Sequence, residues 1–105
     1  MLAADSAPIF SIYQDEEDFR ELLEDFYTSA QSRRALLSDS FRNGELHTVR
    51  VQAHQLKGSG GGYGFEGLSE LACTLEDACK SPNPQLDQIA PLLDDVIDYL
   101  SRIRI

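Results

Sequence analysis

The chain has 105 residues, 42% of them hydrophobic and 26% charged, which is typical of one globular domain with a modest core. Its 18 acidic residues against 9 lysines and arginines give a net charge of −9, which argues against binding to nucleic acid or to an anionic membrane. No apolar run reaches the roughly 18 residues that span a membrane, and the first residues lack the basic and apolar regions of a secretory signal. We therefore expect a cytoplasmic protein.

Residues 1–14 are predicted to form an extended N-terminal lead, and residues 15–105 a helical domain. Asp15 is a candidate N-cap for the first helix, because the acidic residues after it favour the positive end of a helix dipole. We expect this helix to end at Asn43-Gly44, since glycine adopts a left-handed conformation without strain. The positions predicted to face inward are Phe19, Leu22, Leu23, Phe26, Tyr27, Ala30, Leu37 and Phe41, with Arg33 and Arg34 solvated between them.

The next two helices are predicted from about Glu45 to about Tyr63 and from about residue 66 to 80, with Gly64 breaking the chain between them. A turn cluster at residues 81–84 precedes the fourth helix. The positions predicted to face inward in the last two helices are Leu68, Leu71, Ala72, Leu75, Ala78, Leu86, Ile89, Leu92, Leu93, Val96, Ile97, Leu100 and Ile103.

Pro91 lies within the fourth helix and should kink it or separate a short first turn from the rest. No stretch shows the strict alternation of a half-buried strand. Short connections force successive helices to run antiparallel. The sequence therefore predicts an all-α fold, an up-and-down antiparallel four-helix bundle with a short N-terminal lead.

His54 lies outside the apolar stripe of the second helix. Leu46, Val49, Ala53, Leu56, Gly60 and Tyr63 form that stripe at three-then-four spacing. His54 follows Ala53 by one residue, about 100° around the helix, where a side chain meets water. Lys57 and Gly58 follow at i+3 and i+4 and share this exposed face. An exposed imidazole, a nearby ammonium and a bare stretch of backbone suit a nucleophile that handles phosphate.

Other candidate sites are weaker. His47 precedes His54 by seven residues, about 10 Å along the helix, which is too far to share a metal ion without other ligands. Cys73 and Cys79 point to different faces of one predicted helix and complete no zinc set, so we predict no metal site. We expect both cysteines to be free and at least half-buried.

Enzyme chemistry has little support in the sequence. Ser59 has no spacing typical of an acylating nucleophile, and no acid is evidently placed to orient His54 as the base of a catalytic triad. Glu76 and Asp77 are adjacent on a helix, diverge by about 100°, and are expected to be solvated. The segment Gly62-x-Gly64-x-x-Gly67 matches a dinucleotide-binding fingerprint by letter but lacks the preceding strand. Lys57-Gly58-Ser59 lacks the glycines that precede Gly-Lys-Ser/Thr in a P-loop, so nothing here is expected to bind ATP.

The segment His54-x-x-Lys57-Gly58, followed by Gly64, resembles the signature of histidine-containing phosphotransfer (HPt) domains. The resemblance implies that His54 accepts a phosphoryl group and that Lys57 stabilises its charge. It also implies that Gly58 gives a partner access and that Gly64 is the turn that ends the helix. Gly60–Gly62 depart from the family, which usually has alanine, serine or asparagine there.

The resemblance covers about residues 15 to 105 and implies a phosphorelay intermediate of two-component signalling. His54 would receive a phosphoryl group from the aspartate of one receiver domain and pass it to that of another. The implied partners are receiver domains of response regulators and hybrid sensor kinases. The chain would be a phosphocarrier rather than an enzyme, without a cofactor of its own, since the receiver supplies Mg²⁺.

The docking face for these partners is expected around His54, formed by Arg50, Val51, Gln55, Gly58 and Gly61. Val51 can equally be a peripheral core residue. We expect a monomer, either free-standing or part of a longer sensor kinase, because no other face is apolar enough for an obligate dimer. The alternative function is a helical interaction module that docks signalling proteins without carrying phosphate.

Overall fold

The structure is a computed structural model that describes residues 7–105, so the first six residues of the predicted lead and the segment considered as a secretory signal lie outside it. It contains the helices α1 (Arg20–Arg42), α2 (Leu46–Gly62), α3 (Glu66–Cys79) and α4 (Leu86–Arg102). Within residues 7–105 there is no strand, and one isolated bridge pairs Ile9 with Ile103. The predicted all-α four-helix bundle is confirmed. None of the helices described is long and apolar enough to cross a membrane.

A single core runs through the bundle. Leu22 and Leu86, both predicted to face inward, are instead 45% and 54% exposed, because each lies beside the stripe its helix turns to the core. The buried apolar residues are Leu23, Phe26, Ala30, Leu37, Val49, Ala53, Leu56, Phe65, Leu68, Ala72, Leu75, Cys79, Ile89, Leu93, Val96, Leu100 and Ile103.

The start of α1 differs from the prediction. Asp15 does not cap a helix, and the chain instead makes a 3₁₀ turn at Glu17–Phe19 before α1 begins. The backbone explains this start, because the Glu16 N–H donates to the Tyr13 carbonyl and the Phe19 N–H donates to the Glu16 carbonyl. The Tyr13 and Phe19 rings stack with centroids 4.4 Å apart across this turn.

Glycines end the first two helices. Gly44 follows α1 with a φ of 74°, as predicted, and Gly64 follows α2 with a φ of 85°. After α2, the Phe65 N–H donates to the Gly60 carbonyl at 2.7 Å and the Gly64 N–H to the Gly61 carbonyl at 3.2 Å. These two bonds form a Schellman motif, which satisfies the last carbonyls of the helix and turns the chain toward α3.

The N-terminal lead packs across the end of the bundle. The Ile9 N–H donates to the Arg102 carbonyl at 2.8 Å, and the Ser11 hydroxyl donates to the Tyr63 carbonyl at 2.6 Å. Ser11 is buried, whereas Ile12 is 74% exposed. At the other end of the sequence, α4 continues through Pro91 without the predicted division.

Candidate functional site

The close approach of α2 and α3 creates the site. Gly60 makes this approach possible, because a Cβ atom there would lie 3.0 Å from the Ser69 backbone nitrogen and 3.2 Å from the Phe65 carbonyl oxygen. One turn earlier, the Ser69 hydroxyl donates to the Lys57 carbonyl at 2.6 Å. The antiparallel pairing that follows from these contacts places Glu76 of α3 opposite His54 of α2.

Glu76 is the buried member of the site. Only 3% of this residue is exposed, whereas 66% of the His54 side chain is exposed. Glu76 Oε2 lies 2.8 Å from His54 Nδ1, which is hydrogen-bonding distance. The prediction that Glu76 is solvated, and that no acid orients His54, is therefore wrong.

Two lysines lie near the same carboxylate. Lys57 Nζ lies 2.9 Å from Glu76 Oε1, and Lys80 Nζ lies 4.0 Å from Glu76 Oε2. Among residues 7–105, Oε1 accepts no well-aligned hydrogen bond, and the Lys57 ammonium compensates it as an ion pair. A buried carboxylate needs such compensation, because removing an ionised group from water is costly unless it is paired.

These contacts shift the pKa values of both members of the ion pair. The polar contact with Glu76 raises the pKa of Lys57 above its ordinary value of 10.5. The same contact with Lys57 lowers the pKa of Glu76 below 4.5, while burial opposes the shift and the His54 hydrogen bond adds to it. Lys57 is therefore a cation and Glu76 an anion at neutral pH.

The ionised carboxylate determines which nitrogen of His54 carries the proton. A carboxylate only accepts hydrogen bonds, so His54 Nδ1 must carry the proton that faces Glu76. In the neutral ring the other nitrogen, Nε2, then holds the free lone pair. Since the side chain is 66% exposed while Nδ1 is engaged by a buried group, Nε2 is the nitrogen available to solvent and to a partner.

Sequence reasoning missed Glu76, although its spacing carried a signal. Glu76 comes four residues after buried Ala72 and three before buried Cys79, which places it beside the core stripe of α3. An acidic residue at such a position needs a basic partner on the facing helix. Asp77, in contrast, is exposed as predicted.

The residues predicted to form a docking face around His54 differ in how exposed they are. Gln55, Gly58 and Gly61 are exposed, and a Cβ atom at Gly58 would meet nothing within 4 Å. Arg50 is half-buried, with a guanidinium nitrogen 3.3 Å from His47 Nδ1. Val51 is half-buried too, which is compatible with either alternative considered for it.

Helix α1 contributes a second polar contact on the opposite side of α2. Arg33 donates to the amide oxygens of Gln52 and Gln55 at 3.0 and 3.1 Å, and to the Ser29 hydroxyl at 3.2 Å. Arg33 and Arg34 are both half-buried, so the prediction that they are solvated is wrong. Burial lowers the pKa of Arg33, which nevertheless remains a cation at neutral pH.

The remaining candidate residues take no part in this site. Cys79 is buried and Cys73 half-buried, and both are free, as predicted. Within residues 7–105, no group of three or more His, Cys, Asp or Glu side chains is placed to hold a metal ion. The glycines of the dinucleotide-like fingerprint lie at the corner between α2 and α3, where no strand precedes them.

Comparison with known protein families assigns the chain. The family model of the Hpt domain matches residues 21–104, from the start of α1 to the end of α4. The protein therefore belongs to the Hpt domain family. No curated protein and no solved structure gave a significant match.

Membership of this family defines the class of protein. Hpt domains are phosphocarrier modules of two-component phosphorelays rather than enzymes in the usual sense, and they interact with receiver domains of response regulators and kinases. The four-helix bundle described above is the architecture of this class.

Proposed function

We propose that the protein is a phosphorelay intermediate whose phosphoryl group is carried on Nε2 of His54. The observation that supports this most directly is the hydrogen bond from His54 Nδ1 to the buried carboxylate of Glu76 at 2.8 Å. This bond holds the ring in the tautomer whose exposed nitrogen is nucleophilic.

The transfer step follows from this arrangement. The Nε2 lone pair attacks the phosphorus of a phospho-aspartate in a receiver domain, the bond from phosphorus to the aspartate oxygen breaks, and the carboxylate leaves with that electron pair. The ring keeps its Nδ1 proton and gains positive charge as the new bond forms. Glu76 stabilises this charge, because its carboxylate is the acceptor of that proton. The reverse step delivers the phosphoryl group to the aspartate of a second receiver.

Lys57 and the receiver would supply the remaining charge. The transferred group spreads negative charge over its oxygens, and the Lys57 ammonium lies one helical turn from His54 to offset it. The receiver contributes Mg²⁺ and an acidic pocket, so the chain itself needs no cofactor. Arg50, Val51, Gln55 and the bare backbone at Gly58 and Gly61 form the surface on which the receiver docks.

The decisive experiment measures phosphoryl transfer from phosphorylated receiver domains to the wild type, to His54→Gln and to the control His47→Gln. We expect acid-labile, base-stable label on the wild type and on His47→Gln, and none on His54→Gln. Label that persists in His54→Gln would contradict the assignment of the site.

A second measurement separates this function from the alternative of a docking module. Phosphoramidate, a small phosphoryl donor, should label His54 without any receiver. If neither phosphoramidate nor a panel of receivers labels the wild type, but receivers still bind it, the protein is an interaction module that carries no phosphate.

A further inference from the structure

The proposed phosphorylation of His54 would make two anions, the Glu76 carboxylate and the phosphoryl group, compete for the Lys57 ammonium. In the unphosphorylated protein Lys57 lies 2.9 Å from Oε1, and no described residue gives that oxygen a well-aligned hydrogen bond. Lys57 is also the cation expected to offset the charge of the phosphoryl group. One ammonium therefore has two anionic partners, of which one is buried and cannot be left unpaired without cost.

The geometry of the imidazole ring places the Glu76 carboxylate and the phosphoryl group on different sides of His54. Nδ1 of His54 faces Glu76, and Nε2 points roughly to the opposite side of the ring. A phosphoryl group on Nε2 therefore forms on the side away from Glu76. It carries a charge of about −1.5 to −2 at neutral pH, more than the single charge of a carboxylate, so it draws Lys57 away from Oε1.

Lys80 is placed to replace Lys57 as the cation beside the Glu76 carboxylate. It follows Glu76 by four residues at the C-terminal end of α3, and its Nζ lies 4.0 Å from Oε2. Its side chain is 52% exposed and belongs to no closer ion pair among the described residues. A shift of about 1 Å would bring Nζ to the distance of a charge-assisted hydrogen bond, which a flexible lysine stem readily allows.

We propose that Lys80 is the reserve counter-ion of Glu76, which closes on the buried carboxylate when phosphorylated His54 draws Lys57 away. This inference rests on the proposed phosphorylation of His54. It assigns Lys80 a positioning role: Lys80 keeps Glu76 ionised against Nδ1 while Lys57 serves the phosphoryl group. In the unphosphorylated protein Lys80 is dispensable, because Lys57 already compensates Glu76.

The composition of the chain makes this exchange directly observable, since Lys57 and Lys80 are its only lysines. Lysine labelled with ¹⁵N at the side-chain nitrogen gives two ammonium signals, which the variants Lys57→Arg and Lys80→Arg assign. Before phosphorylation, slow proton exchange with water should mark Lys57. After phosphorylation by phosphoramidate, the Lys80 ammonium should become slow to exchange. A Lys80 signal that does not change in protein shown by ³¹P spectra to be phosphorylated overturns the proposal, since Lys57 then bridges both anions.

A functional measurement tests the same idea. Lys80→Met should lower the equilibrium yield of phosphohistidine from a phosphorylated receiver about tenfold, as expected when a buried charge loses its partner. Lys80→Arg should restore the yield. Arg20→Met also removes one positive charge, but at the N-terminal end of α1, and should leave the yield unchanged. Thermal unfolding of unphosphorylated Lys80→Met should match the wild type, whereas a purely structural role for Lys80 would lower it.

The outcomes separate the two proposals. If the wild type forms no phosphohistidine with any donor, the proposed function fails and this inference fails with it. If the wild type is phosphorylated but the yield for Lys80→Met equals that for Arg20→Met, the reserve role of Lys80 is wrong and the proposed function stands.

Discussion

The two halves of α2 carry the same local pattern with different surroundings. His47 is followed by a cation at i+3 and by Val51 at i+4, and His54 is followed by Lys57 at i+3 and by Gly58 at i+4. Both histidines are exposed and lie on nearly the same face of the helix. By local sequence alone they differ mainly in the residue at i+4.

Tertiary contacts separate the two histidines. His54 Nδ1 meets the buried carboxylate of Glu76 at 2.8 Å, whereas His47 Nδ1 meets the Arg50 guanidinium at 3.3 Å. The antiparallel pairing that places Glu76 opposite His54 would place Asn83 opposite His47, and α3 has already ended at Cys79. The neighbouring helix therefore supplies what distinguishes a candidate phosphoryl acceptor from a surface histidine.

Among the variants that test the difference between His54 and His47, Glu76→Gln should have the largest effect, because it gives His54 a neutral neighbour. The amide can donate as well as accept, so it no longer imposes one tautomer or balances the charge of the reacting ring. We expect phosphorylation of His54 by phosphoramidate to slow about a hundredfold. Asp77→Asn removes the same charge one residue away, at an exposed position, and should remain within about twofold of the wild type, as is usual for a surface charge. Equal rates for the two variants would show that Glu76 has no special role.

A smaller effect should follow from Gly58→Val, which gives His54 the same i+4 neighbour as His47. A Cβ at Gly58 meets nothing within 4 Å, so the bundle tolerates the side chain. The added groups lie where a receiver must approach, so transfer from a receiver should fall about tenfold.

Two controls make this test specific for docking. Labelling of Gly58→Val by phosphoramidate should match the wild type, because a small donor needs no docking surface. Gly62→Val adds the same side chain at another open glycine of α2 and should transfer normally. Loss of labelling from phosphoramidate in Gly58→Val would instead indicate damage to His54 itself.

Gly60→Ala tests the helix spacing that brings Glu76 to His54. The added methyl group meets backbone atoms of α3 at 3.0 and 3.2 Å, so the helices must move apart. We expect the free energy of unfolding to fall by about 1–3 kcal/mol. At Gly62 the same substitution meets no atom within 4 Å and should raise stability by about 0.5–1 kcal/mol through helix propensity. Urea unfolding of both variants measures the difference, and equal stabilities would rule out a tight α2–α3 contact.

The smallest effect is the pH dependence that Glu76 imposes on stability. Its pKa in the folded protein is lowered, so its contribution is present above the ordinary carboxyl pKa of 4.5 and is lost as the pH falls through the folded value. The wild type should therefore lose more stability on acidification below pH 4.5 than Glu76→Gln does. Urea titrations at several pH values test this, with Asp77→Asn expected to follow the wild type. A parallel loss in Glu76→Gln would contradict the ion pair.

Much of the architecture could be predicted from local patterns. The apolar periodicity of α2 and α3 and the glycines after α1 and α2 placed the helix ends within about one residue, because helix stripes and left-handed turns are properties of short segments. The start of α1 could not be placed in this way. Hydrogen bonds to the backbone carbonyls of Tyr13 and Glu16 determine where α1 starts. The sequence of an acidic run does not reveal whether that run caps a helix.

The sequence by itself determined the all-helical fold, the exposure of His54 and the presence of Lys57 and Gly58 on the same face, since all of these follow from spacing along one helix. Only the tertiary structure decided that Glu76 is buried against Nδ1 and that Lys57 of α2 lies beside its carboxylate, whereas Lys80 lies near it through local i,i+4 spacing. It also decided that Arg33 of α1 holds two glutamines of α2. The physical reason is that these contacts join residues 19 to 22 positions apart on different helices, and no local periodicity encodes which residues of two helices meet.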